Sequence, residues 1–125
     1  MKVVDSMTAN PVHVTPNDTL TTARALMDLG DFRCLPVVEG GKLVGIITDR
    51  DIRKYSDSPD RTHVVVAMTR EVVCIAPDDT VNEAVRTLLA YKVGGLPVIR
   101  EDKLVGIITT TDILKAVLGL PELDK

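Results

Sequence analysis

Two Thr-x-x-Asp units hold the residues best suited to chemistry: Thr48 with Asp51, and Thr109 with Asp112. Each closes a run rich in Val, Ile and Leu and stands where a strand would turn into a helix. A carboxylate in that place offers two acceptors to the vicinal diol of a sugar, and its charge strengthens both bonds. The helix start beside it presents backbone N–H groups and a positive dipole to a phosphate. Apolar strand residues alongside can enclose a flat ring. The same residue types at the same spacing also build a helix capping box. The two roles are compatible, and the residues alone leave the choice open.

Other chemistry finds little support. His13 and His63 have no metal-ligand spacing with Cys34 or Cys74. No Ser or Cys stands in a recognisable motif with a base. Gly40-Gly41-Lys42 lacks the pattern of a phosphate-binding loop. The expectation is a protein without catalytic residues, bound metal or required cofactor. Cys34 and Cys74, each in an apolar run, are expected to be buried thiols rather than a disulfide or a metal site.

The elements that position the two units are written twice. Residues 7–54 align without a gap on residues 68–115 at an offset of 61, with 20 of the 48 positions identical. Met7-Thr8 maps to Met68-Thr69, Pro16 to Pro77, Leu35-Pro36-Val37 to Leu96-Pro97-Val98, and Leu43-Val44-Gly45-Ile46-Ile47-Thr48 to Leu104-Val105-Gly106-Ile107-Ile108-Thr109. Val12–Val14 and Val72–Ile75 read as short strands. After each proline, Asn17-Asp18-Thr19 or Asp78-Asp79-Thr80 can cap a helix. Helical spacing then predicts buried faces of Leu20, Ala23, Met27 and Gly30, and of Val81, Ala84, Leu88 and Tyr91. Two strands follow in each copy, 35–38 with 43–47 and 96–99 with 104–108, joined by polar tetrads that suit hairpins. A last helix starts at Thr48 or Thr109. Met7 and Met68 read as core residues, and Gly45 and Gly106 as points of close backbone approach. The expected organisation is a first repeat over 1–55, a linker over 56–62 and a second repeat over 63–125, packed as one α/β (α+β) domain.

Composition sets outer bounds. Hydrophobic residues at 45% and charged residues at 26% fall in the ordinary globular range. No apolar run approaches the roughly 20 residues that span a bilayer, and residues 1–5 lack a signal-peptide core, so a cytoplasmic, membrane-free protein is expected. A net charge of −3 argues against a general nucleic-acid binder. With aromatics at only 2%, there is no stacking platform for single strands.

The order Met-Thr, Pro, capped helix, Leu-Pro-Val, Gly-Ile-Ile-Thr-x-x-Asp-Ile resembles the CBS domain, and its duplication in register resembles a tandem pair, or Bateman module. The resemblance covers nearly all of the chain, and a stand-alone pair without an attached enzyme, channel or zinc ribbon is the expectation. It implies two β-α-β-β-α repeats packed about a pseudo-two-fold axis, with an adenosine ligand in each of two clefts. AMP, ADP, ATP or S-adenosylmethionine would act there as a regulatory ligand. Carried over residue by residue, Thr48 and Asp51 would hold ribose and phosphate in one cleft, and Thr109 and Asp112 in the other.

By the same resemblance each cleft is completed by the other repeat. Thr8, Pro11 and Val12, with Cys34, Leu35 and Pro36, would wall the Asp112 cleft. Thr69, Val72 and Val73, with Gly95, Leu96 and Pro97, would wall the Asp51 cleft. Arg33 and Arg50 lack basic counterparts, since they align with Gly94 and Thr111. As phosphate candidates they favour tighter binding at Asp112, unless Asp31 and Asp49 neutralise them. Arg70 or Lys92 could serve the other cleft. The resemblance further implies homodimerisation through helices, to which the apolar residues Leu114, Ala116, Val117, Leu118 and Leu120 are suited, and an unidentified regulated protein. A ligand-independent docking or dimerisation module is the alternative reading.

Overall fold

The computed structural model describes residues 1–119. Its elements run α1 (Val3–Ser6), β1 (Thr8–Ala9), α2 (Leu20–Gly30), β2 (Cys34–Glu39), β3 (Lys42–Thr48), α3 (Asp49–Arg53), α4 (Val64–Ala67), α5 (Val81–Tyr91), β4 (Gly95–Arg100), β5 (Lys103–Thr109) and α6 (Thr110–Leu118). The strand pairs are antiparallel. Helices pack against them, so the mixed class expected from the sequence is the one observed.

The chain forms two compact units, and their composition is not that of the two repeats. Among the described residues, one unit joins Met1–Asn10 to residues 73–119; the other is Pro11–Val72. Each therefore combines the body of one repeat with the leading segment of the other. In the first unit the Val3 and Val4 N–H groups donate to the carbonyls of Asp79 and Pro77, and β1 pairs with β5, Thr8 facing Ile107 and Ala9 facing Gly106. In the second, Val64 and Val65 make the equivalent bonds to Asp18 and Pro16, and Thr69 bridges to Ile46.

Burial explains why the leading segments dock. Val3 is fully buried among Ile75, Ala84, Leu88, Leu96, Val98, Ile108 and Ile113. Val64 and Met68 are buried with Val14, Leu20, Ala23, Met27, Leu35, Val37, Ile47 and Ile52. Removing one such aliphatic side chain from water contributes about 1.5–3 kcal/mol. Met7 packs against the first core and Met68 belongs to the second.

Three local expectations are corrected. Val12–Val14 and Val72–Ile75 are not strands; each contributes a single parallel bridge, Val14 to Val37 and Ile75 to Val98. Proline follows two residues later in both cases and stops a ladder from growing. Gly30 and Tyr91, assigned to buried helix faces, are exposed; each is the last residue of its helix, and the chain turns away at the left-handed residue that follows, Asp31 or Lys92. Cys74 is exposed rather than buried, and Cys34 is half-buried; neither is in a disulfide. Both main helices are capped by the threonine rather than the preceding Asx residues: Thr19 accepts from the Thr22 N–H and Thr80 from the Glu83 N–H.

Candidate functional site

Each Thr-x-x-Asp unit is a capping box at a strand-to-helix turn. Thr48 ends β3, and its hydroxyl accepts from the Asp51 N–H at 3.1 Å while Asp51 Oδ2 accepts from the Thr48 N–H at 3.0 Å. The second copy repeats this: Thr109 Oγ1 accepts from the Asp112 N–H at 3.2 Å, and Asp112 Oδ2 accepts from the Thr109 N–H at 2.9 Å. The box satisfies orphan helix N–H groups and places the carboxylate against the positive end of the helix. It uses one carboxylate oxygen. Capping therefore fixes the side chain's direction and leaves a second oxygen for other work.

That second oxygen is treated differently in the two units. Asp112 Oδ1 accepts from the Thr8 hydroxyl at 3.2 Å, a contact made because β1 lies beside β5. Asp51 Oδ1 takes no hydrogen bond from a described residue, although Thr69 occupies the equivalent place beside β3. Asp51 is 9% exposed, whereas Asp112 is half-buried. A depression of about 230 Å³ opens beside Asp112, lined also by Asp5, Ser6, Lys115 and Ala116.

The glycine of each Gly-Ile-Ile-Thr run makes these approaches possible. A Cβ on Gly106 would stand 2.5 Å from Met7 Sδ and 2.9 Å from the Thr8 carbonyl oxygen. On Gly45 it would stand 2.8 Å from Met68 Sδ and 2.9 Å from the Thr69 carbonyl oxygen. The Met-Thr and Gly-Ile-Ile-Thr motifs are thus two sides of one contact, and only glycine admits the backbone of the leading segment so close.

The remaining sequence-derived residues distribute as follows. In the first unit Gly95, Leu96 and Pro97 face Thr109, Ile108 and Ile107 across the β4–β5 hairpin. In the second Cys34, Leu35 and Pro36 face Thr48, Ile47 and Ile46 across β2–β3. Leu35, Pro36, Leu96 and Pro97 are buried, so towards a ligand they offer backbone rather than side chain. Pro11 is buried, Val12 exposed, and Val72 and Val73 half-buried. Arg33, whose carbonyl accepts from the Asp49 N–H at 3.0 Å, and Arg50, in the first turn of α3, are both exposed. The ion pairs among described residues join Lys2 to Asp78 and Arg53 to Asp49, both at 4.0 Å. Arg33 and Arg50 are in neither, so Asp31 and Asp49 do not neutralise them by direct contact.

Asp5, Ser6 and Lys115 were not singled out from the sequence. Lys115 lies three residues after Asp112 on α6, a helical neighbour that spacing could have exposed. Asp5 and Ser6 reach the site only through the docking of the leading segment. The Cys34 thiol is pushed up from 9.0 to about 11 by burial, with a further contribution from the Asp49 carboxylate, which makes it a poor nucleophile. Among the described residues no group of three or more His, Cys, Asp or Glu could hold a metal ion. No helix among them is long and apolar enough to cross a membrane.

A family description of the CBS domain matches residues 3–58 and again 63–119. The chain belongs to the CBS-domain family. As a tandem CBS pair it is similar to inosine-5'-monophosphate dehydrogenase of Methanocaldococcus jannaschii, 41% identical over 106 residues. That match covers 83% of this chain and 21% of the relative, so the pair spans about a fifth of that enzyme's length. It is also 33% identical over 114 residues to the CBS domain-containing protein YhcV of Bacillus subtilis, covering 89% of this chain and 81% of that one.

Solved CBS structures superpose closely. A putative acetoin utilization protein (AcuB) of Vibrio cholerae aligns with a TM-score of 0.90 at 34% identity, over 99% of this chain and 95% of that chain. The CBS domain pair of protein MJ0100, in complex with 5'-methylthioadenosine and S-adenosyl-L-methionine, aligns with a TM-score of 0.86 at 29% identity, over 94% and 99%.

Proposed function

We propose that this CBS pair is a regulatory module that binds an adenosine-containing ligand at its Thr-x-x-Asp turns and transmits that state to a partner protein. The observation that carries the reading is the Asp112 carboxylate. Its Oδ2 is held by the helix start, its Oδ1 meets Thr8, and it borders an open depression with Ser6 and Lys115. A ribose diol would take over or share the Oδ1 acceptor, with the Thr8 hydroxyl at hand as a further partner. The MJ0100 pair, similar in fold and sequence, was solved with two adenosine compounds, which supports this ligand class. Arg33 and Arg50, exposed and outside any ion pair among described residues, are available cations for a phosphate-bearing form such as AMP, ADP or ATP. The module works by binding, with no catalytic step of its own.

Thermal unfolding with AMP, ADP, ATP, 5'-methylthioadenosine and S-adenosylmethionine tests the proposal. A ligand at about 100 times its dissociation constant adds about 2.7 kcal/mol of stability, a readily measured rise in Tm. No rise with any of the five would reject it.

A second reading, docking or homodimerisation without ligand, is favoured by exposed apolar side chains. Leu29 is 87% exposed, Leu89 73%, Leu118 69% and Leu114 59%. Leu114, Val117 and Leu118 are exposed on α6, while Leu120 lies outside the described residues. Sedimentation of the unliganded chain as a concentration-independent dimer would support this reading.

A further inference from the structure

The two Thr-x-x-Asp turns are equivalent in sequence, but their surroundings are not. The positions that line the depression at Asp112 each have a counterpart 61 residues earlier or later: Asp5 corresponds to Val66, Ser6 to Ala67, Lys115 to Lys54 and Ala116 to Tyr55. In the first unit, two carboxylates, a hydroxyl, an ammonium and a single methyl group surround open space. In the second, three of the five counterparts are apolar or aromatic. Tyr55 and Ala67, with Val65, pack against the core formed by Ile52, Val64, Met68 and their neighbours. Tyr55 is thus a large, half-buried ring packed against the core, where the other unit has only the methyl group of Ala116.

The carboxylates follow suit. Asp51 is buried and Asp112 half-buried. Threonine from the leading segment reaches Asp112 but makes no bond to Asp51. The helices that present them differ as well: α6 runs for 9 residues and α3 for 5, so the dipole behind Asp112 is better developed.

Resting on the adenosine-ligand reading above, we infer that each chain binds ligand at one turn only, that of Asp112, and that Tyr55 closes the Asp51 turn to ligand, leaving Asp51 as a helix cap. Residue 55, with its counterpart 116, is then the determinant of stoichiometry. A bulky aromatic ring fills the ligand's place and a small side chain leaves it open. Such a chain reports ligand with a single hyperbolic saturation curve rather than through two interacting sites.

Calorimetric titration with AMP, ATP, 5'-methylthioadenosine and S-adenosylmethionine, one at a time, tests this on the intact chain. The wild type should take up one equivalent per chain. Ala116→Tyr should weaken that binding by about tenfold or more, with the far-UV spectrum and Tm showing that the fold persists. Tyr55→Ala, where it folds, should raise the capacity to two equivalents. Two equal equivalents in the wild type, undiminished binding by Ala116→Tyr, or a folded Tyr55→Ala with unchanged capacity would each overturn the inference while leaving the adenosine reading intact. No heat with any of the four compounds would overturn both.

Discussion

The Thr8 hydroxyl donates to Asp112 Oδ1 at 3.2 Å, joining two residues that are 104 positions apart. The bond ties the leading segment to the turn whose carboxylate is proposed to grip a sugar. Asp112→Asn keeps the size of the side chain but removes its charge and one acceptor. It should weaken adenosine-ligand binding by at least about tenfold, since hydrogen bonds to charged groups contribute about 1.5–3 kcal/mol. Calorimetry on the variant checks this, and unaltered affinity would exclude the carboxylate from the ligand's contacts.

Thr8→Val deletes the same bond from the other side. We predict a stability loss of about 0.5–1 kcal/mol, small because the pair is exposed to water that can replace it. The urea midpoint should fall with the slope unchanged. A loss several times larger would mean that Thr8 anchors the whole leading segment and not only this contact.

Gly106→Ala should be far more damaging. The new methyl group would lie 2.9 Å from the Thr8 carbonyl oxygen, which is backbone and cannot swing aside as the Met7 tip can. Overpacking of this kind costs about 1–3 kcal/mol. Gly45→Ala, against the Thr69 carbonyl, should do the same in the other unit. Equilibrium unfolding of both variants provides the comparison, and a neutral result in either would show that β1 or its counterpart can retreat at little cost.

The hairpins predict a stabilising change. Both two-residue loops have positive φ at each central position: Gly40 at 61° and Gly41 at 80°, Glu101 at 52° and Asp102 at 66°. Glycine adopts this region without steric cost, whereas a side chain there costs about 1–2 kcal/mol. Asp102→Gly should therefore raise stability, by about 0.5–1 kcal/mol once the greater freedom of glycine in the unfolded chain is counted. A lower Tm for the variant would contradict this.

Cys34 gives a pH signature. Burial, helped by Asp49, raises its thiol from 9.0 to about 11, so the folded chain keeps a proton that the unfolded chain releases near pH 9. Its contribution to stability is therefore fully present below pH 9 and is lost as pH rises towards 11. Cys34→Ser should flatten the decline in Tm over that window. In the native wild type at pH 8, iodoacetamide should label the exposed Cys74 before Cys34; the reverse order would show that Cys34 is accessible as thiolate.

Much of this was legible because the interactions that create it are short in sequence. The capping boxes at Thr48/Asp51 and Thr109/Asp112 span three residues, and the hairpins turn within two. Helix faces such as Leu20, Ala23 and Met27 follow from a period of 3.6. Failures came where a local pattern was outweighed by position. Tyr91 has the right spacing but is the last residue of its helix, where the chain turns away at Lys92, and it stays exposed. Val12–Val14 have strand composition but only one neighbour to pair with.

Sequence alone determined the duplication, the family, the main helix and the hairpin of each repeat, and the two carboxylates at helix starts, because repetition at a fixed offset and hydrogen bonding within a turn are written locally. The family resemblance pointed Thr8 to the Asp112 turn; tertiary structure sets β1 against β5 and Thr69 beside β3, with Thr8 donating to Asp112 and Tyr55 packed against the core of Ile52, Val64 and Met68. Both repeats carry nearly the same docking residues, so local preference cannot choose between pairing within a repeat and exchange between repeats. The choice falls to how completely Val3 and Val64 are buried once the chain has folded back, a quantity that exists only in three dimensions.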